Sequence, residues 1–290
     1  MATREVASSR RHDDTLRAAS HGIRILLVYV FLVALAALTV APFMMMVSIA
    51  FTPGLNFMAF PMPLLPQNPG LGNFQALFES TKILRWTFNS VFVSVSLVAL
   101  HLFTCSLAGY AFARGHFRGR DAIFWLFMGT LMMPESVTIV PLFILLGKVG
   151  WINTYYALIV PRATSIFGTF LLRQYFSTIS REFDDAATMD GANRFRIFSQ
   201  ILAPLAKPAI ATLATLSFLS SWNSFMFPLI VTSKSTMQVL SVGIATMVRR
   251  EGAAGFQMAG ATVTFLPTFI VFLLMQRHLT SGLALGGLKG

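Results

Sequence analysis

Charge is scarce in this sequence. Only 11% of its 290 residues are charged, whereas an average soluble domain carries roughly a quarter. Hydrophobic residues account for 55% of the chain, and the mean hydropathy is +0.69. So few charged side chains cannot cover the surface of a soluble fold of this length. The composition therefore excludes an ordinary soluble protein and indicates a chain that faces lipid.

Cysteine is almost absent, and histidine shows no metal-ligand spacing. Cys105 is the only cysteine and lies in an apolar run, which excludes a disulfide framework and a cysteine-based metal site. The glycine-rich run 282–290 is not a phosphate-binding loop, because no Ser or Thr follows Lys289. We therefore expect no catalytic residue, no metal and no cofactor on this chain.

Acidic residues are half as numerous as basic ones, which gives a formal net charge of +11. Such an excess can indicate nucleic-acid binding, but here the bases fall in short clusters between apolar runs rather than along one face of a polar domain. Clusters of this kind are typical of the loops that remain on the cytoplasmic side of a membrane protein.

Long apolar runs dominate what is present. Crossing about 30 Å of hydrocarbon takes about 20 apolar residues in a helix. This length predicts an all-α, polytopic membrane protein with about six transmembrane helices. The predicted spans are 25–50, 87–112, 122–146, 154–172, 209–230 and 258–275. Pro134 and Glu135 interrupt the third span, and Pro161 and Arg162 lie in the fourth.

The distribution of basic residues predicts the orientation of the chain. One side of the predicted topology has Arg4, Arg10, Arg11, Arg17, Arg24, Arg114, Arg118, Arg120, Arg173, Arg181, Arg194, Arg196, Lys207, Arg277 and Lys289, and the other has Lys82, Arg85, Lys148, Lys234, Arg249 and Arg250. The richer side is expected to be cytoplasmic. We therefore expect a cytoplasmic tail over residues 1–24 and a transmembrane permease domain over 25–290. The last part of this domain, 276–290, is expected to form a second cytoplasmic tail.

The longest predicted cytoplasmic loop covers residues 177–208 and has a helical pattern. Ser180 is a plausible N-cap, and three acids follow it in the first turn, where the helix dipole favours anions. Gly191 is expected to end this first helix. A second helix is predicted from Asn193 to Ala203, ending before Pro204.

The same loop carries a specific motif. Asp185, Ala186 and Ala187 form an acid-Ala-Ala triplet, and Asp190, Gly191 and Ala192 follow it, with prolines at 204 and 208. This arrangement resembles the EAA loop of ABC importer permeases, in the version found in the sugar-importing, maltose-type family of second permease subunits. The resemblance extends to Asn89-Ser90, the run 108–114, Pro134, Pro141, Trp222-Asn223, Pro228-Leu229 and the tail 282–290.

The resemblance implies a set of partners. Such a permease pairs with a second homologous permease, works above an ATP-binding cassette dimer that holds ATP and Mg²⁺, and receives solute from an extracytoplasmic binding protein. It also implies that the loop forms two short helices that dock on the ATPase. The expected docking residues are Glu182, Asp185, Ala186, Ala187, Asp190, Gly191, Ala192, Phe195, Phe198 and Pro204.

The sequence suits that role but departs from the family pattern at two positions. The small residues Ala186, Ala187 and Ala192 would let a partner backbone approach closely, and Phe195 and Phe198 would offer apolar contacts. Asp185 stands where the family usually has Glu, and Ser180 stands where Pro is common. A solvated amphipathic helix is the alternative for an isolated segment of this kind.

Charged residues within a span are candidates for the substrate pathway, because they are costly in lipid. At 1.5 Å per residue, Glu135 lies about 20 Å from one side of the membrane and Arg162 about 12 Å from the other. In a layer about 30 Å thick they could therefore pair. The alternative is that Arg162 extends to the membrane surface while Glu135 is protonated or faces water.

Four further polar or aromatic residues are candidates for the pathway. They are Asn89, Thr138, Trp222 and Asn223, since sugar recognition needs hydrogen-bonding groups and an aromatic face. Helix packing is an equally good interpretation of these residues.

The function predicted from the sequence is that of a permease subunit for a sugar, without enzyme activity of its own. One alternative keeps the transporter and changes the cargo to glycerol phosphate or another small polar solute. A second is an intramembrane enzyme that uses Glu135 or a histidine, and a third is an autonomous ion-coupled transporter. The last would normally show more buried acids and internal duplication.

Overall fold

A computed structural model describes residues 2–54, 64–66, 68–248 and 254–287 of the chain, with side chains over 21–54, 64–66, 68–247 and 254–276. Within these ranges the regular structure is entirely helical, as predicted. The α-helices are α1 (Ala2–Ala50), α2 (Gly72–Ser80), α3 (Ile83–Arg114), α4 (Arg120–Gly129), α5 (Glu135–Lys148), α6 (Tyr155–Ile159), α7 (Ile166–Thr178), α8 (Glu182–Met189), α9 (Arg194–Ile197), α10 (Ala203–Leu205), α11 (Lys207–Trp222), α12 (Met226–Val231), α13 (Leu240–Val248) and α14 (Ala254–Gly287).

The number of membrane-crossing helices agrees with the prediction. Four described segments are long and apolar enough to cross a membrane, namely His21–Ala50, Ile83–Arg114, Tyr155–Thr178 and Ala254–Gln276. Two bent helix pairs raise the number to six if each pair is one span. The predicted break at Pro134 is a bend of 99° between Arg120–Met132 and Glu135–Lys148. Proline explains it, because it cannot continue the hydrogen-bonding ladder of the preceding helix.

The fifth predicted span, 209–230, is not one helix. Helix α11 ends at Trp222, and the chain resumes as α12 only at Met226. A separate bend of 78° lies just before this span, between Arg194–Leu205 and Lys207–Trp222. Helix α1 runs without interruption through residues 2–24 of the predicted tail and through the first span. Arg249, Arg250 and Lys289, which were used to predict orientation, lie outside the described residues.

The chain forms two compact units, the first of which comprises residues 1–74 and 253–259. In this unit the side-chain amide of Asn73 donates to the carbonyl oxygens of Ala50 at 3.0 Å and Thr52 at 3.2 Å. It thereby satisfies backbone acceptors that are left free near the end of α1. Gly255 lies against Asn73 with no room for a Cβ atom.

The second unit comprises residues 75–252 and 260–290. Its central element is α3, which packs along α7 and α11. Gly109 permits the close approach of α3 to α7, because a Cβ atom there would lie 2.9 Å from the Cβ of Leu172. Small residues serve this purpose where helices pack inside membranes.

Two hydrophobic clusters lie along the two halves of α3. The first contains Val93 and Leu97 of α3, with residues of α5, α6, α12 and α13. The second contains Cys105 and Ala113, with residues of α7, α8, α9 and α11. The predicted docking loop therefore packs on the Arg114 end of the central helix.

Candidate functional site

The loop 177–208 forms two helical arms, and the first is close to the prediction. Helix α8 spans Glu182–Met189, against a predicted end at Asp190. Ser180 is not its N-cap: Arg181 holds that position without a side-chain cap, while the Ser180 hydroxyl accepts a hydrogen bond from the backbone N–H of Glu182 at 3.3 Å. The three acids lie in the first turn as predicted.

Gly191 makes the turn between the two arms. Its φ of 78° lies in the left-handed region, which glycine adopts without the steric cost of a Cβ atom. The backbone N–H of Ala192 donates to the Ala187 carbonyl at 2.9 Å, and that of Gly191 donates to Thr188 at 3.0 Å. These two bonds define a Schellman motif, which satisfies the last carbonyls of α8. The predicted bend is confirmed.

The second arm is less regular than predicted. The Asn193 side chain caps α9 by accepting from the N–H of Arg196 at 2.9 Å. Helix α9 covers only Arg194–Ile197, after which the chain forms a π turn over Phe198–Leu202 and then α10. Pro204 lies within α10 rather than after the end of the arm, so that predicted boundary was wrong. Proline is tolerated in a first helical turn because no N–H is required there.

The face of the loop that points to the bundle is apolar. Ala187, Ile197 and Leu202 are buried in the same cluster as Leu172 and Phe176 of α7. Ala187 is therefore a core residue rather than a surface for a partner. Phe198 also packs inward, with its ring 5.2 Å from that of Tyr110. The prediction that Ala187 faces a partner is wrong, because Ala187 is buried. Phe198 is half-buried, and its docking role stays a prediction.

The opposite face of the loop is exposed. Met189 is 89% exposed, Phe195 is 70% exposed and Phe183 is 49% exposed. Sequence inspection identified only Phe195 among these three. Helical spacing indicates exposure for Met189, which lies two residues from the buried Ala187 and therefore on the other side of α8. It does not do so for Phe183, which lies four residues before Ala187 and shares its side of the helix. The predicted docking residues Glu182, Asp185, Ala186, Asp190, Gly191 and Pro204 are also exposed, and Ala192 is half-buried.

Polar contacts tie the loop to the end of α3. The guanidinium of Arg114 pairs with the Asp184 carboxylate at 3.1 Å and donates to the Ile179 carbonyl at 2.6 Å. The Tyr110 hydroxyl donates to the carbonyl of Arg194 at 3.2 Å. A cleft of about 520 Å³ lies beside these contacts and is lined by Asp185 among others. Tyr110 and Arg114 belong to the run 108–114, which was part of the family resemblance but for which no structural role was predicted.

A second polar region lies where the fourth span is broken, at the turn Val160–Arg162. Three side chains of α3 satisfy the backbone there. The His101 Nε2 lies 2.7 Å from the Arg162 carbonyl, the Thr104 hydroxyl donates to Ala163 at 3.2 Å, and the Cys105 thiol donates to Ser165 at 3.2 Å. A helix break inside a membrane protein needs such partners, because lipid offers none.

The side chain of Arg162 connects two breaks. Its Nη1 donates to the Ser224 hydroxyl at 2.9 Å, in the break between α11 and α12. The guanidinium carbon lies 5.9 Å from the Phe227 ring centre. Glu135 and Arg162, which both belong to the described residues, do not form an ion pair within 4 Å. Ser224 is thus the hydrogen-bond partner of Arg162. The estimated depths in the membrane had predicted Glu135 instead.

Two predicted pathway residues serve helix packing in this structure. Asn89 is fully buried, donates to the carbonyls of Thr236 and Gln238, and accepts from the Tyr155 hydroxyl at 2.6 Å. Trp222 is also buried, and its indole N–H donates to the Thr264 carbonyl at 3.0 Å.

The remaining candidates are accessible. Glu135, Thr138 and Asn223 are exposed, and Arg162 is half-buried. Asn223 lines a cavity of about 370 Å³ between α11, α13 and α14. The structure therefore does not bring the six candidates into one cluster: it separates two structural residues from four that can meet solvent, a partner or a solute.

Comparison with known proteins identifies the class of this chain. Residues 105–284 match the family of binding-protein-dependent transport system inner membrane components. The chain belongs to this family. It is thus the permease subunit of an ABC importer that works with a solute-binding protein, and it is not itself an enzyme.

Individual relatives extend the match along nearly the whole chain. The chain is 35% identical over 260 residues to the arabinooligosaccharides transport system permease protein AraQ of Halalkalibacterium halodurans, covering 88% of this chain and 93% of that protein. It is 32% identical over 273 residues to the trehalose/maltose transport system permease protein MalG of Thermococcus litoralis, covering 92% and 97%.

A solved structure shares the fold. It is that of a bacterial ABC transporter involved in the import of the acidic polysaccharide alginate, matched with a TM-score of 0.81 at 23% identity over 89% of this chain and 97% of that chain. The family and the fold predicted from the sequence are thus confirmed.

Proposed function

We propose that this chain forms, with a second homologous permease, the membrane pathway of an ATP-driven importer for an oligosaccharide or another sugar. The relatives AraQ and MalG are named for transport of arabinooligosaccharides and of trehalose and maltose, and they support this substrate class. ATP and Mg²⁺ would be bound by a separate ATPase dimer, and solute would arrive from the binding protein outside the membrane.

The observation that carries the coupling role is the two-sided loop 177–208. Its inner face is buried against α7, while Met189 and Phe195 expose large apolar side chains on the other side. Exposed apolar groups next to polar ones are typical of a surface that a partner covers. We infer that this outer face, together with Asp185, Ala186 and Asp190, docks on the ATPase on the cytoplasmic side.

The inner face supports the transmission of movement. Ala187 and Ile197 share one core with α3, α7 and α11. Close-packed interiors resist deformation, so displacement of the outer face would move these helices as a body. Closure of the ATPase dimer would in this way alter access to the pathway between the two permeases.

The pathway itself is proposed to run past the accessible polar residues. Glu135, Thr138, Arg162 and Asn223 lie on or near the helix breaks. Irregular backbone at membrane depth is tolerated where it lines a water-filled cavity or is buried in protein. Asn89 and Trp222 are better explained as helix-packing residues.

The test is reconstitution of the complete complex. The chain is copurified with its partners, and uptake and ATP hydrolysis are measured in proteoliposomes with binding proteins loaded with neutral oligosaccharides, monosaccharides or glycerol phosphate. Sugar-dependent uptake with hydrolysis is expected. Uptake restricted to glycerol phosphate would overturn the substrate class, and a functional complex without a nucleotide-binding subunit would overturn the mechanism.

A further inference from the structure

We propose that Arg114 is the positioning residue that couples the loop 177–208 to the membrane helices, through its ion pair with Asp184. The inference rests on the proposed function, since coupling requires an ATPase that docks on this loop. It assigns a role in energy transmission to a largely buried pair, neither member of which is among the predicted docking residues.

The position of Arg114 is the first support. It is the last residue of α3, the helix that packs along both α7 and α11. Its guanidinium lies 3.1 Å from Asp184 in the first turn of α8, and it donates at 2.6 Å to the carbonyl of Ile179, directly after α7. One side chain thus joins the ends of two membrane helices to the first arm of the loop.

The burial of this pair is the second support. The side chains of Arg114 and Asp184 are 9% and 20% exposed. Asp121, which pairs with Arg120 at 3.0 Å at the same end of the bundle, is 61% exposed. A pair shielded from water is attracted more strongly than an exposed one, whereas exposed pairs contribute little. Water therefore screens the attraction between Arg114 and Asp184 less, and the Arg120–Asp121 pair provides an exposed comparison.

The arrangement of the two arms is the third support. Among the residues that the structure describes, the Arg114–Asp184 pair is the ion pair that connects the loop to a membrane helix. The second arm is held separately, by the hydrogen bond from Tyr110 to Arg194 and by the packing of Phe198. The first arm has Ala187 in the core, and a methyl group alone fixes position poorly. The ion pair between Arg114 Nε and Asp184 Oδ2 supplies the polar contact through which α8 moves the end of α3.

Breaking an ion pair that has only a structural role would also destabilise the protein. The measurement must therefore distinguish a structural role of the Arg114–Asp184 pair from a coupling role. A structural role predicts less assembled complex and a parallel loss of transport and hydrolysis. A coupling role predicts an assembled complex that still hydrolyses ATP in response to the loaded binding protein but moves less solute per ATP. The ratio of uptake to hydrolysis, measured per assembled complex, distinguishes the two.

The experiment measures three variants in the full reconstituted complex. Two are the single changes Arg114→Gln and Asp184→Asn, and the third is a double variant that exchanges the charges, Arg114→Asp and Asp184→Arg. Asp121→Asn is the matched control, since it removes the exposed carboxylate. Each single change is expected to lower the uptake-to-hydrolysis ratio about fivefold or more, because it leaves a buried charge unpaired. The exchange is expected to restore at least half of the ratio, and the control to leave it unchanged.

Two results would overturn the inference. One is an unchanged ratio in both single variants, and the other is a parallel loss of uptake and hydrolysis that the exchange does not repair. If Arg114→Gln does not assemble, Asp184→Asn decides, since it preserves the size of the side chain. A wild-type complex without any ATPase subunit would instead overturn the proposed function, and this inference with it.

Discussion

The bend at Gly191 depends on a single backbone conformation. Its φ of 78° is strained for any residue with a Cβ atom, although no neighbouring atom lies within 4 Å of where that Cβ would be. Substitution is therefore limited by the backbone and not by packing. Asn enters this region more easily than other residues, and β-branched residues enter it least easily.

We therefore predict that Gly191→Val uncouples transport from ATP hydrolysis or prevents docking of the ATPase, while membrane insertion is unchanged. The strain is expected to cost about 1–3 kcal/mol. Gly191→Asn is the control and should retain most activity. Copurification of the ATPase and the uptake-to-hydrolysis ratio measure the effect. Normal coupled uptake by Gly191→Val would show that the left-handed turn is not required.

The two phenylalanines of the second arm are predicted to differ, because one faces out and the other faces in. Phe195→Ala removes an exposed side chain, so it should weaken ATPase copurification with little change in thermal stability. Phe198→Ala removes ring contacts with Tyr110 and Phe176, so it should destabilise the chain by about 2–4 kcal/mol. Thermal unfolding in detergent and copurification are measured for both. Equal effects of the two substitutions on both readouts would contradict the assignment of faces.

At the scale of elements, the broken fourth span depends on α3. His101, Thr104 and Cys105 lie on one face of α3, at the i, i+3 and i+4 spacing of a helix, and each meets a backbone carbonyl of the break. The break could be expected from Pro161, but its partners lie about 60 residues away in sequence. No local pattern identifies them.

Replacement of His101 by Leu is predicted to destabilise the chain by about 1–3 kcal/mol, because the carbonyl of Arg162 would lose its partner away from water. His101→Gln, which retains a donor, should recover part of this loss. The midpoint of thermal unfolding in detergent is the measurement. An unchanged midpoint in His101→Leu would mean that water replaces the imidazole at the break.

The contact of α3 with α7 gives a second prediction for elements. Gly109→Val should separate the two helices and destabilise the chain by about 1–3 kcal/mol, since overpacking forces backbone shifts. Gly129→Val is the matched control, because nothing lies within 4 Å of a Cβ atom there. Thermal unfolding of both variants is compared, and equal stability would argue against close packing at Gly109.

At the scale of the whole molecule, the orientation can be tested with a single introduced cysteine, since the native Cys105 is buried. Met189 and Lys234 are exposed at opposite ends of the bundle. In intact cells a membrane-impermeant maleimide should label Lys234→Cys but not Met189→Cys, because the loop with the richer basic flanks remains inside. Opening the membrane should expose Met189→Cys. The reverse pattern would invert the topology and place the loop on the wrong side for an ATPase.

Part of the molecule followed from the sequence alone. Membrane insertion, the all-helical fold, the approximate number of spans and the bend at Gly191 were predicted correctly. These features depend on composition, on the length of apolar runs and on the backbone preferences of single residues, all of which are local. The family was predicted from the same segment, because its motif occupies consecutive positions.

The tertiary structure alone decided which face each residue presents. It placed Ala187 in the core and packed the half-buried Phe198 against it, and it left Met189 exposed. It also gave Arg162 the partner Ser224 and joined Arg114 to Asp184 across 70 positions of sequence. In a membrane chain, lipid-facing and protein-facing helix surfaces are both apolar, so hydrophobic periodicity does not tell them apart. The packing of helices distant in sequence makes that distinction, and with it the pairing of the few polar groups.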